Sequence, residues 1–219
     1  MAKTLYVINP NSNTAVTAGI DAAMDVLRQN DGPRIECVTL AEGPPGIQSQ
    51  QDVDHAAVLV RQFAQARAEQ AAGFVTACFS DPGLHSLREI PGVLSMGISE
   101  GAALTALTMG NTFGVIAILQ GSIARHMRAW AAMGISSRVA GEVAIGRTVA
   151  ELSDAPATLA AMIAAGKDLR DRLRADVLVM GCAGMARYRD ALQQEVGLPV
   201  VEPSQATVAM ALGRIRLGW

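Results

Sequence analysis

Aromatic residues are scarce in this chain. Phe, Trp and Tyr together make up 4% of its 219 residues. A core with so few rings is built from Ala, Val, Leu and Gly, which suits close packing of helices on sheets. Blocks of one charge are also missing. The formal net charge is -2 with both signs interspersed, so no electrostatic footprint for nucleic acid or an anionic membrane surface is present. No run reaches about 18 unbroken apolar residues, the length a membrane-crossing helix needs. The start, "MAKTLYVINPNSN", has one lysine and a short apolar run that meets Asn-Pro-Asn at once. That is unlike a secretory signal, and a cytoplasmic protein is the expectation. The three cysteines, Cys37, Cys78 and Cys182, are widely spaced and odd in number, which argues for reduced thiols and against a disulfide frame. His55, His85 and His126 show no metal-ligand spacing, and helix-face or surface positions are expected for them. No Walker motif occurs, and "GPPG" and "GNTFG" do not match a dinucleotide fingerprint. No metal, nucleotide or other cofactor is expected.

Short β-branched runs alternate with longer helical stretches. "TLYVI" (4–8), "RIECVTL" (34–40) and "GFVTA" (73–77) read as strands. Between them, 13–30 reads as a helix capped by Ser12 or Asn13, and 51–72 as a long helix with apolar spacing near 3.6. "AEGPPGIQSQ" is a loop by its glycines and prolines. After a helix near 101–107 the scheme restarts. "TFGVIAIL", "SRVAGEVAI", "DVLVM" and "PVVEP" read as strands. Helices are expected through "SIARHMRAWAAM", from Pro156 through "PATLAAMIAAGKDLRDRLR", and over the tail "SQATVAMALGRIRL". This is βαβ repetition, hence an α/β protein with mainly parallel sheets flanked by helices. It is also internally duplicated: "TLYVINPNSNT" matches "TFGVIAILQGS", and "FVTACFSDPG" matches "DVLVMGCAGM". Two pseudo-symmetric lobes follow, with the active site expected in a cleft beyond the carboxyl ends of their strands.

Cys37, inside "RIECVTL", reads as a small core hydrophobe. Cys78 and Cys182 each follow a strand directly. After Cys78, Asp81 suits an N-cap and Pro82 a first helical position. Cys182 lies between Gly181 and the Ala183–Gly184 pair, where backbone N–H groups can approach a ligand. Amides at helix starts favour thiolate over thiol. From spacing alone either cysteine could be structural; their recurrence at equivalent places in both halves points to function. Two thiols facing one cleft suit inversion of a carbon next to a carbonyl. That reaction removes a proton from one face and delivers one to the other, so two bases serve where one cannot.

"VINPNSNT", "ACFSDPGL" around Cys78 and "MGCAGM" around Cys182 resemble the aspartate/glutamate/hydantoin racemase superfamily, most of all its hydantoin and allantoin racemase branch. The resemblance runs from Val7 to "PVVEP" at 199–203. It implies a cofactor-independent racemase with Cys78 and Cys182 as its two acid/base residues. It implies substrate contacts at the strand end carrying Asn9 and Asn11, at Ser80, and at the backbone from Gly181 to Gly184. It also implies that the C-terminal helix folds back onto the first lobe. The first lobe is then 1–100 completed by 204–219, and the second is 101–203. Homo-oligomers are common among relatives, so self-association is expected. One departure is the pair Ala117 and Ile118, where relatives in this branch often have threonines; Gln120 and Ser122 follow.

Asn9, Asn11 and Ser80 are neutral partners, better matched to a cyclic ureide than to the charges of a free amino acid. An apolar wall at Ile118 favours a hydrocarbon substituent over a ureido group. Asn-Pro-Asn is also ordinary turn chemistry. Four alternatives stand beside this reading: an aspartate/glutamate-type racemase, a single-thiol arylmalonate-type decarboxylase or isomerase, a thiol hydrolase using Cys78 and His85, and a non-enzymatic small-ligand sensor.

Overall fold

The computed structural model describes residues 3–219. In chain order the elements are β1 (Thr4–Asn9), α1 (Thr14–Ala23), β2 (Arg34–Thr39), α2 (Gln50–Gln65), β3 (Ala71–Thr76), α3 (Leu84–Leu87), β4 (Leu94–Gly97) and α4 (Ile98–Leu107). There follow β5 (Phe113–Ala117), α5 (Gln120–Ala132), β6 (Val139–Ala144), α6 (Ala155–Asp171), β7 (Val177–Met180), α7 (Arg189–Val196), β8 (Val200–Val201) and α8 (Pro203–Leu217). They form two compact units, Met1–Gly101 with Ser204–Trp219, and Ala102–Pro203.

Each unit holds one four-stranded sheet, and every pairing is parallel. The strand orders are β2-β1-β3-β4 and β6-β5-β7-β8. Shifting every label by four turns one order into the other, so the duplication read from the sequence extends to the connectivity. The central strands are β1, β3, β5 and β7. They read as nearly unbroken apolar runs and are buried along almost their whole length, as expected of strands covered on both faces. Edge strand β6, "VAGEVA", is half-buried throughout.

Local chemistry sets the helix starts. Asn13 caps α1 by accepting the Ala15 N–H at 3.0 Å. Ser49 and Asp52 form a reciprocal capping box at α2. Asp154 caps α6, with Pro156 in its first turn. The first unit's core stacks Tyr6 on Phe74 at 5.8 Å, with Phe63 edge-on to Tyr6 at 5.5 Å. In the second unit Trp130 packs edge-on to Phe113 at 5.6 Å.

Several elements differ from the sequence expectations. α1 stops at Ala23 and gives way to a single 3-10 turn, Asp25–Leu27. β4 and α7 went unrecognised. β4 has four residues, too few for a period-2 pattern, and α7 shows only two buried positions, Leu192 and Val196. The helix expected from Pro82 begins instead at Leu84 and has four residues. Of the two positions expected for the histidines, His126 takes the helix-face one, on the buried side of α5. It is 3% exposed, and its Nδ1 lies 2.8 Å from the buried Glu142 carboxylate. The Trp130 indole N–H donates to the same carboxylate at 2.6 Å.

Candidate active site

In the first unit the candidate residues lie at the carboxyl ends of β1 and β3. β1 ends at Asn9, which is fully buried. Its amide nitrogen donates to Asn11 Oδ1 at 3.1 Å, to the Asn13 carbonyl at 3.1 Å and to Thr17 Oγ1 at 3.0 Å. Its amide oxygen accepts the Asn11 N–H at 3.3 Å. Asn9 therefore braces the turn from inside. Asn11 Oδ1 also accepts the Asn13 N–H at 2.9 Å. The Asn11 amide nitrogen donates to none of the described residues. Gly43 closes over this turn, and a Cβ there would run into the Pro10 carbonyl. The Ser12 N–H holds the Pro44 carbonyl at 3.0 Å.

β3 pairs with β1 through Val7–Val75 and Ile8–Thr76. One further ladder bond, from Ala77 N–H to the Ile8 carbonyl at 2.8 Å, carries the chain past the strand end to Cys78. Cys78 is half-buried, as is Ser80, whose hydroxyl bonds to none of the described residues. No helix starts at Asp81. Its backbone is left-handed, with φ 45°, and its N–H donates to the Cys78 carbonyl at 2.9 Å. Asp81 is a cap, as its residue type suggested, but of α4. Its two carboxylate oxygens accept the Ser99 and Glu100 N–H groups, both at 2.9 Å. Burial pushes this carboxyl up to about 7, against the opposing pull of those two N–H groups. His85 is exposed on α3.

The second unit repeats the arrangement on β5 and β7. β7 ends at Met180, paired with Ile116, and Gly181 N–H continues the ladder to the Ile116 carbonyl at 2.9 Å. Cys182 lies two residues past the end of β7, as Cys78 lies two past the end of β3. Gly181 is needed for sheet packing: a Cβ would sit 2.6 Å from the Ile116 carbonyl oxygen. Its N–H is already committed to that oxygen, so it is not open to a ligand as the sequence suggested. Gly184 sends its N–H to the Cys182 sulfur. Cys182 precedes a 3-10 turn, Ala183–Tyr188. Its thiol is pushed up to about 11, chiefly by burial and further by the negative charge of Glu202, with the Gly184 N–H pulling the other way. Ile118 and Ala117 are both buried beyond and at the end of β5. Their carbonyls accept the Arg147 and Ile145 N–H groups at 3.0 and 2.9 Å.

Glu202 is the site-adjacent residue that sequence reading missed. It is 3% exposed and follows β8, the neighbour of β7. Its signal was present in "PVVEP": a carboxylate at a strand end in an apolar segment. Cys37 departs from the simple core role. It is half-buried on β2, and burial together with a hydrogen bond to the Asp21 carboxylate pushes its thiol up to about 12. A cavity of about 1430 Å³ in the first unit lies at the opposite end of the sheet from Cys78, among Lys3, Ala71, Leu94 and Trp219.

The sequence profile of the family described as Asp/Glu/Hydantoin racemase matches residues 5–211. That span is nearly the whole chain. The protein belongs to this family. Among its members, the hydantoin racemase of Paenarthrobacter aurescens is 30% identical over 220 residues, covering 98% of this chain and 92% of its own. The hydantoin racemase of Pseudomonas sp. (strain NS671) is 29% identical over 217 residues, covering 98% and 86%. The solved allantoin racemase from Klebsiella pneumoniae superposes with a TM-score of 0.91 at 28% identity, over 99% of this chain and 89% of that one. Family membership and these relatives support racemase activity. Among the described residues no helix is long and apolar enough to cross a membrane.

Proposed function

We propose that this protein is a cofactor-independent racemase. It inverts the ring carbon next to a carbonyl in a 5-substituted hydantoin or a related cyclic ureide. The observation that carries the proposal is the repeated placement of Cys78 and Cys182, each two residues past equivalent strands of two sheets with the same order. The relatives described as hydantoin and allantoin racemases support the substrate class.

One thiolate takes the ring C–H proton, and the electron pair moves onto the neighbouring carbonyl oxygen to give a planar enolate. The other thiol then protonates that carbon from the opposite face. Sulfur regains the charge that oxygen loses, and the two cysteines end with exchanged protonation states. Catalysis of the reverse reaction uses the exchanged pair. Burial holds the Cys182 thiol up to about 11, which favours its protonated form as the proton donor. Asn11 offers an amide N–H and Ser80 a hydroxyl for the polar edge of the ring. Side-chain donors of this kind stabilise oxygen charge as it develops. Asn9 acts through Asn11, which it holds. Ile118 lines the substituent with hydrocarbon, which favours an alkyl or aryl group.

The test is loss of optical rotation by single enantiomers of alkyl and aryl hydantoins, allantoin, aspartate and glutamate, with deuterium uptake at the same carbon in heavy water. Racemisation of a hydrocarbon-substituted hydantoin, coupled to exchange, is expected. Ring opening, or binding with no exchange on any of these compounds, would refute the reading.

A further inference from the structure

We propose that Asp81 is the positioning residue of the Cys78 thiol, tying the loop that presents Cys78 to the start of α4. The inference rests on the reading of Cys78 as a catalytic thiol, and it deepens that reading. Four observations on this one residue converge. Its N–H donates to the Cys78 carbonyl at 2.9 Å, closing the turn that the thiol stands on. Its carboxylate accepts two N–H groups, from Ser99 and Glu100, at 2.9 Å each. Its backbone sits at φ 45°, a conformation that costs a non-glycine residue energy and persists only where the surroundings enforce it. Its carboxyl group lies directly over the Cα of Gly97, where any Cβ would collide with it. Gly97 ends β4, so the strand, the helix and the loop meet at this carboxylate.

Ordinary capping does not need this arrangement. A residue just before α4 could cap it from within the same segment. Here the cap comes from 18 residues earlier, and its effect is to fix the Cys78 loop against the sheet end.

Both oxygens are used as acceptors only when the carboxylate is ionised; a proton on either one turns an acceptor into a donor facing an N–H. Burial places that change near neutrality, at about 7. The charged groups facing Asp81 are Glu100 of α4, which raises its proton affinity, and Arg88, at the end of α3, which lowers it. Arg88 is also bound to both Glu100 oxygens at 2.9 and 2.8 Å. Both amides are therefore matched with acceptors only above about 7. Stability moves the other way: a carboxyl with raised proton affinity in the fold stabilises most below the unfolded value and loses that contribution as pH climbs through 7.

The test compares the full-length wild type with Asp81→Asn. Asparagine keeps the shape but points an NH2 at one of the two amides. With a single enantiomer of a turned-over hydantoin as substrate, kcat is expected to fall about 10- to 100-fold with KM within about threefold, since misplacement of a reacting group acts on kcat. The activity rise near pH 7 should vanish in Asp81→Asn, because asparagine does not titrate. Alkylation of Cys78 by iodoacetamide, followed by peptide mass spectrometry, should lose its step near pH 7 in the same variant. This arm needs no racemase activity, so it separates failure of the tie from failure of the catalytic reading of Cys78. In the wild type, hydrogen exchange at the Ser99 and Glu100 amides, corrected for the intrinsic rate, should quicken as pH rises through 7, since the fold then loses what the protonated carboxyl contributes; this holds even where the variant does not fold. A variant with wild-type kcat and an unchanged Cys78 alkylation profile, or wild-type exchange at these amides that ignores pH, would overturn the proposal.

Discussion

Gly181→Ala is a small change with a large expected consequence. The added Cβ would lie 2.6 Å from the Ile116 carbonyl oxygen, 3.2 Å from the Ala117 Cα and 3.2 Å from Val115 Cγ1. Carbon–oxygen contacts settle near ~3.3 Å, so the chain must yield by about 0.7 Å. Two of the three obstacles are backbone of β5, which cannot rotate away as a side chain end can. β7 must therefore draw back from β5 at the residue before Cys182, stretching the 2.9 Å ladder bond from Gly181 to Ile116. Overpacking of this kind costs about 1–3 kcal/mol of stability. The residue that follows, Cys182, carries a proposed catalytic sulfur. A shift approaching 1 Å at a reacting group can cost on the order of 100-fold in rate, so a 30- to 100-fold loss of kcat, roughly, is expected, with KM little changed. Polarimetry on one enantiomer of a 5-substituted hydantoin measures both constants. Gly19→Ala is the control. Its Cβ meets nothing within 4 Å on α1, and it should leave kcat unchanged while adding about 0.5–1 kcal/mol of stability. A folded Gly181→Ala variant with kcat within twofold of wild type would refute the placement of Cys182 through this close approach.

Three further outcomes follow from named contacts. Asn9→Ala removes a fully buried side chain with several partners. It should lower stability by about 2–3 kcal/mol in a denaturant titration, whereas Asn11→Ala, which strips the acceptor from the Asn9 amide and the Asn13 N–H, should cost about 1–2 kcal/mol and in addition raise KM. Glu142→Ala takes the carboxylate from His126 and Trp130 in a buried setting. It should cost about 2–4 kcal/mol and lower Tm by about 5–10 °C with catalytic constants close to wild type in the folded enzyme. Cys182 binds its proton more tightly in the fold, at about 11 against 9.0. Its contribution to stability is thus complete below pH 9 and lost as pH rises through 11. Cys182→Ala should lack that slope in chemical denaturation between pH 9 and 11.

The fold was legible because its signals are periodic. Buried parallel strands such as "TLYVI" and "DVLVM" are short β-branched runs, and helices such as α2 repeat apolar positions on one face. The duplication was visible for the same reason. What escaped were interactions between distant segments. The sequence around Asp81 signals a cap, but nothing local says that the helix capped starts at Ile98. Asn9 and Asn11 look alike in "NPN", yet one is sealed among its own turn's groups and the other keeps a donor. Gly181 read as an opening for ligand, while the β5 backbone behind it is what demands glycine. Glu202 sits near Cys182 only because β8 lies next to β7.

The most direct measurement separates proton removal from inversion in Cys78→Ala and Cys182→Ala. Each enantiomer of a turned-over hydantoin is incubated with each variant in heavy water, and deuterium uptake and optical rotation are followed together. Two thiols working on opposite faces predict that neither variant inverts the carbon, while each exchanges deuterium into one enantiomer only, and a different one. Full racemisation by either single variant would contradict a division of labour between the two sulfurs.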